Sequence, residues 1–110
     1  MENILKGQVI ELKEQIDYIE NKVNEIYLKD TDHVKLILIS FDENTALDPH
    51  GSPGDALIIP LEGEGYAVNE GEDVKHKIYP GKQFVFKKGV VHHVEAVTKF
   101  KMLVVLPVEE

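Results

Sequence analysis

The chain has 110 residues, no cysteine and a formal charge of −8, with 43% hydrophobic and 29% charged residues. That length corresponds to one domain around a single core, and the acidic balance excludes a nucleic-acid backbone as partner. Without cysteine there are no disulfides, thiolate metal sites or thiol catalysis, which fits a cytoplasmic location. No apolar run reaches the roughly 18 residues of a membrane span, and no leader pattern opens the chain, so neither is expected.

Residues 1–32 admit two readings. Val9, Leu12, Ile16, Ile19, Val23 and Ile26 recur at three- and four-residue spacings, an apolar stripe suited to one helix. Val23, Tyr27 and Leu28 also sit in a β-rich stretch, and Asn21 can turn the chain. A short helix over 11–18 followed by a strand near 22–29 is the favoured reading, with a helical dimerisation arm as the alternative. The apolar residues of this segment need a cover, which points to a homodimer interface. Residues 33–110 form the β-rich remainder.

From Val34 the pattern becomes that of strands. Val34 to Phe41 reads as a strand covered on both faces in its middle. Asp42 to Thr45 turns, Leu47-Asp48-Pro49 approaches His50, and Ser52-Pro53-Gly54 turns again before the strand Ala56 to Leu61. Tyr66 to Val68 and Val74 to Ile78 read as two arms of a hairpin around a loop carrying Asn69 and Gly71. Strands follow at Phe84 to Phe86, His92 to Val97 and Phe100 to Leu106, spaced by Pro80-Gly81 and Lys88-Gly89. Many short strands between glycine and proline turns indicate an all-β sandwich or barrel. The lysines near His76 and at 87–88 read as solvated strand edges. Gly63-Glu64-Gly65 has no third glycine and no following helix, so it is no phosphate cradle.

The placement of His50 and His92 resembles the cupin superfamily, in particular its small single-domain bacterial members. The first cupin motif is glycine, five residues, His-x-His, three or four residues, Glu, six residues, Gly. Here Asn44 stands for the first glycine, His50 matches, Ser52 replaces the second histidine, Ala56 replaces the glutamate with Asp55 beside it, and Gly63 matches. In the second motif Gly81, Gly89 and His92 match, while Lys87 replaces the proline and Ala96 the asparagine. The segment His50 to Ala56 with Phe100-Lys101-Met102 is similar to an uncharacterised subgroup with a degenerate metal motif. The resemblance implies a cupin double-stranded β-helix, that is, a jelly-roll barrel, with a short N-terminal helix, and a homodimer.

In full-motif cupins three histidines and a glutamate hold a divalent metal. This chain keeps His50 and His92 by position, with Asp55 or His93 as further candidate ligands. The resemblance therefore implies one divalent ion (Ni, Zn, Fe or Mn) at the cavity mouth, supporting oxygen or isomerisation chemistry. Adjacent residues on a strand point to opposite faces, which opposes Asp55 and makes His93 a surface or dimer-facing residue if His92 points inward. Two other readings stand beside it. His50 and His92, with Ser52, Asp55 and Tyr66, would line a metal-free cavity for a small polar or carboxylate metabolite, acting as a sensor or binding module without catalysis; or the histidines have structural hydrogen bonds only. Tyr66 reads first as an aromatic packed on the sheet, and His33 and His76 as solvent-side.

Overall fold

The computed structural model describes residues 1–109. Eight strands form: β1 (Val23–Asp30), β2 (Val34–Phe41), β3 (Ala56–Glu62), β4 (Gly65–Asn69), β5 (His76–Ile78), β6 (Phe84–Phe86), β7 (His92–Ala96) and β8 (Phe100–Pro107). They build a five-stranded sheet in the order β1-β2-β8-β3-β6 and a three-stranded sheet in the order β5-β4-β7. Every ladder is antiparallel. The β4–β5 hairpin and the strand after residue 22 form as the sequence predicts.

Two features of the expected fold do not form. The jelly-roll barrel does not close: the large sheet ends at β1 and β6, the small one at β5 and β7, and among the described residues no ladder joins one sheet to the other. Strands β5 and β6 are three residues each, too short to carry a continuous wall around the Pro80-Gly81 turn. Pro49 and Pro53 lack an N–H, so the approach to β3 cannot supply a full ladder either. The N-terminal helix over 11–18 is also absent. In its place is a single 3-10 turn, Leu12–Gln15, whose N-cap Glu11 makes no side-chain cap, and Ile16 is already extended. Four residues are too few to offset helix nucleation. Carbonyls of the turn and of the extended chain after it meet tertiary partners: Lys101 Nζ donates to Lys13 O at 2.6 Å and Ser40 Oγ to Asp17 O at 2.7 Å.

The period of two in β2 explains the layering. Ile37, Ile39 and Phe41 face between the sheets, with Ala56, Ile58, Phe86, Phe100, Met102, Val104 and Leu106 of the large sheet and Ala67, Ile78, Val94 and Ala96 of the small one. Leu38 faces the other way and packs with Leu28 and Ile16 in an outer layer flanked by Leu12, Ile26, Leu36, Leu61 and Leu103. β2 is thus covered on both faces, as its unbroken apolar run predicts. The N-terminal stripe is divided by this arrangement. Ile16 is 2% exposed beneath the outer layer, whereas Val9 is fully exposed.

Candidate functional site

The segment before β3 carries an arrangement that no periodicity announces. Thr45 to His50 runs antiparallel along β7: Ala96 N–H donates to Thr45 O, Leu47 N–H to Val94 O, and His50 and His92 exchange both backbone hydrogen bonds at 2.9 and 2.8 Å. A pair that exchanges both bonds lies directly opposite, with side chains on one face. The backbone therefore sets the two imidazoles side by side, ring centroids 4.8 Å apart in an edge-on contact.

Each ring is oriented by its own turn. His50 Nδ1 lies 2.9 Å from Asp48 O, and His92 Nδ1 lies 2.9 Å from Val90 O. A carbonyl can only accept, so Nδ1 carries the proton in both rings and Nε2 presents a lone pair when the ring is neutral. Ser52 Oγ approaches His92 Nε2 at 3.4 Å, near enough only for a long hydrogen bond donated by the hydroxyl. His92 is held from the other side by Phe86, stacked on it at 3.8 Å with 4° between the planes, and Phe84 meets Phe86 edge-on at 5.0 Å. Burial, the largest cause, holds the His92 pKa below its ordinary value, with the neighbouring His50 and His93 acting in the same direction and the Val90 carbonyl opposing.

These side chains line a cavity of about 420 Å³ between the sheets. Its walls are apolar, from Ile37, Ile39, Ala56, Ile58, Met102 and Val104 among others. Its exposed lining residues are Glu25 and Tyr27 of β1 and Asp48, Pro49 and His50, which therefore form its rim. His92, 3% exposed, lies deeper. Sequence reasoning missed Phe86 as the ring that fixes His92. It also missed Glu25 and Tyr27, because residues 1–32 were assigned to an interface. The alternation Val23, Glu25, Tyr27 carried the signal, since the first of these packs into the inner core.

The other candidates lie elsewhere. Asp55 is exposed and accepts a hydrogen bond from Lys88 N–H at 2.8 Å, away from the cavity lining. Tyr66 alternates with the inward Gly65 and Ala67 and does not line the cavity. His93 is among the cavity-lining residues, but its ring nitrogens engage Glu70 Oε1 at 3.0 Å and Glu95 Oε2 at 2.8 Å. His76 pairs with Glu72 at 3.1 Å. Ser52 alone joins the two histidines. Among the described residues no group of three His, Cys, Asp or Glu side chains is placed to hold a metal ion. Two imidazoles and a protonated hydroxyl fall short of the three or four protein donors of a firmly held transition metal. The donors present do not fit the full cupin centre.

The fold and site define a mostly β protein with a histidine-bearing cavity between two sheets. No family model and no curated protein matches the chain. Solved structures do. It is similar to a cupin superfamily protein from Desulfitobacterium hafniense (24% identity, 97% of this chain and 96% of that one, TM-score 0.90). It is also similar to a conserved protein of unknown function from Streptococcus pyogenes (25% identity, 98% and 93%, TM-score 0.91). A cupin 2 conserved barrel domain protein from Leptotrichia buccalis is 33% identical over 87% of this chain and 46% of that longer one, with a TM-score of 0.82. The chain has the cupin-superfamily fold. Among the described residues no helix is long and apolar enough to cross a membrane.

Proposed function

We propose that this protein binds a small molecule in the cavity between its sheets, anchored by Nε2 of His50 and His92 and enclosed by apolar walls. The observation that carries this reading is the cross-strand histidine pair at one end of an otherwise apolar cavity. Ligand pockets typically combine such walls with a few convergent polar atoms, at about 300–1,000 Å³. Phe86 and the Val90 carbonyl hold His92 in place before any ligand arrives, which limits the ordering cost of binding.

A second reading rests on one detail. Ligand imidazoles commonly donate their other N–H to a carbonyl, as both rings do here. A weakly held divalent ion on the two Nε2 atoms, completed by solvent or by the small molecule, is that reading. Homodimer formation through residues 1–32 belongs to the proposal as well; Met1, Leu5, Val9 and Ile19 are among its exposed apolar residues.

A saturation-transfer NMR screen of small compounds, run with and without EDTA, tests the main reading. Hits are expected for the wild type in both conditions and lost in His50→Ala/His92→Ala. Binding that survives the double substitution would remove the site from the histidine pair. Binding abolished by EDTA, with metal recovered by elemental analysis from the wild type alone, would select the second reading.

A further inference from the structure

We infer that the cavity selects a neutral or cationic molecule with an apolar body and a hydroxyl or amine donor directed at His50 and at the Ser52–His92 pair, and rejects carboxylates and phosphates. The inference rests on the binding role proposed above and names the chemical class that role requires.

The polar end of the cavity consists of acceptors. Asp48 O and Val90 O each take the Nδ1 proton of one ring, so with the rings neutral each Nε2 is an acceptor: that of His50 has no partner among the described residues, and that of His92 faces the Ser52 hydroxyl. Ser52 has a single hydroxyl proton, and the nearest ring nitrogen, His92 Nε2, uses it; what Ser52 leaves for a ligand is oxygen lone pairs. A hydroxyl or ammonium group meets this arrangement donor to acceptor. A carboxylate or phosphate oxygen would meet it lone pair to lone pair, in a site where apolar walls remove the water that would otherwise solvate the anion.

The rim repeats the preference through charge. Glu25 and Asp48 are exposed at the opening, and among the described residues no lysine or arginine lines the cavity. Two further lining residues bear on the choice: His93 has both ring nitrogens on Glu70 and Glu95 and is not available as an anion partner, and the Tyr27 hydroxyl at the rim accepts a hydrogen bond as well as donating one. The whole chain carries a formal −8, so the long-range field acts in the same direction. The carboxylate metabolite expected from the sequence is the ligand this lining fits least. The walls fix the rest of the molecule: Ile37, Ile39, Ile58, Met102 and Val104 offer contact area and no hydrogen bond from their side chains.

The test uses four matched probes on the full chain at neutral pH: para-methylbenzyl alcohol, para-methylbenzylamine, para-methylbenzoate and para-methylbenzyl phosphate, with Kd from NMR titration. The alcohol and amine are expected to bind at least about tenfold more tightly than either anion, the worth of one well-made hydrogen bond relative to an opposed one. His50→Lys, at an exposed position, places a cationic donor at the rim and is expected to reverse the order in favour of the benzoate. Anions that bind the wild type as tightly as the alcohol, and lose that affinity in His50→Ala/His92→Ala, would overturn the donor assignment while leaving the binding role intact. If none of the four perturbs cavity resonances, the binding role itself fails, and the inference with it.

Discussion

Replacing Phe86 with leucine removes one ring from the site while keeping most of its volume. Phe86 is 1% exposed, stacks on His92 at 3.8 Å and meets Phe84 edge-on at 5.0 Å. Each aromatic contact is worth about 0.5–1.5 kcal/mol beyond the area it buries, so losing both costs about 1–3 kcal/mol. The change of shape adds less than about 1.5 kcal/mol, so a central value near 2 kcal/mol lies below the roughly 3–5 kcal/mol of a phenylalanine-to-alanine cavity. A loss near 2 kcal/mol corresponds to a Tm lower by about 8 °C in a domain of this size. The chain has no tryptophan, so far-UV circular dichroism is the natural probe. Histidine ring NMR reads the second consequence, a His92 imidazole released from its fixed plane with weaker binding in the cavity. A Tm within about 2 °C of wild type, with the His92 resonances unmoved, would refute the claim that this stack positions the site.

Three further outcomes follow from the geometry. Lys101→Met deletes an ammonium that donates to Lys13 O, lies 4.8 Å above the Tyr18 ring and 3.9 Å from Glu62. Hydrogen exchange should show residues 1–20 opening more readily by about 2 kcal/mol, the worth of a hydrogen bond to a charged group, and unchanged exchange would count against that clamp. Gly63→Ala combines a φ of +78° with a Cβ placed 1.9 Å from Lys99 O, whereas Gly71→Ala has φ +85° and open space. Urea unfolding should therefore show about 1–2 kcal/mol lost at Gly71 and distinctly more at Gly63; equal losses would contradict the close approach.

The pH dependence has a definite sign. The folded state holds His92 below its ordinary pKa, so the unfolded chain binds this proton first, and stability falls as pH drops below about 6.5 until the lowered folded value is passed. Glu95 lies in a separate, more acidic window. Its carboxylate is held low first by His93 and then by Lys75, so that contribution is full above the ordinary carboxylate range and lost as pH falls through the lowered value. Urea midpoints across this range should show a near-neutral loss that His92→Gln flattens.

The strands were legible because their physics is local. The apolar runs of β2 and β3, the alternation in β7, and turns at Asp42 to Thr45 and Pro80-Gly81 need no tertiary information. The helical reading of residues 11–18 failed because the stripe is ambiguous on its own. Its spacing suits a helix, but the outer face of the large sheet needs a cover, and a short 3-10 turn followed by extended chain seats Ile16 there while satisfying Lys101 and Ser40. Closure of the sheets was equally beyond local pattern, since it depends on ladders between residues far apart in sequence.

The site divides in the same way. His50 and His92 stand out in the sequence by residue type and by the glycine turns that precede or follow them. By itself the sequence determined that two imidazoles, with no cysteine available, were the polar groups worth following, and that the surroundings are β-strands. Only the tertiary structure decided that residues 45–50 lie along β7, that both Nδ1 protons are spent on carbonyls, and that Glu25 reaches the rim from β1. The reason is that a side chain's chemical type is local, whereas which strand lies beside it and the charge at a cavity's opening are set by elements dozens of residues away.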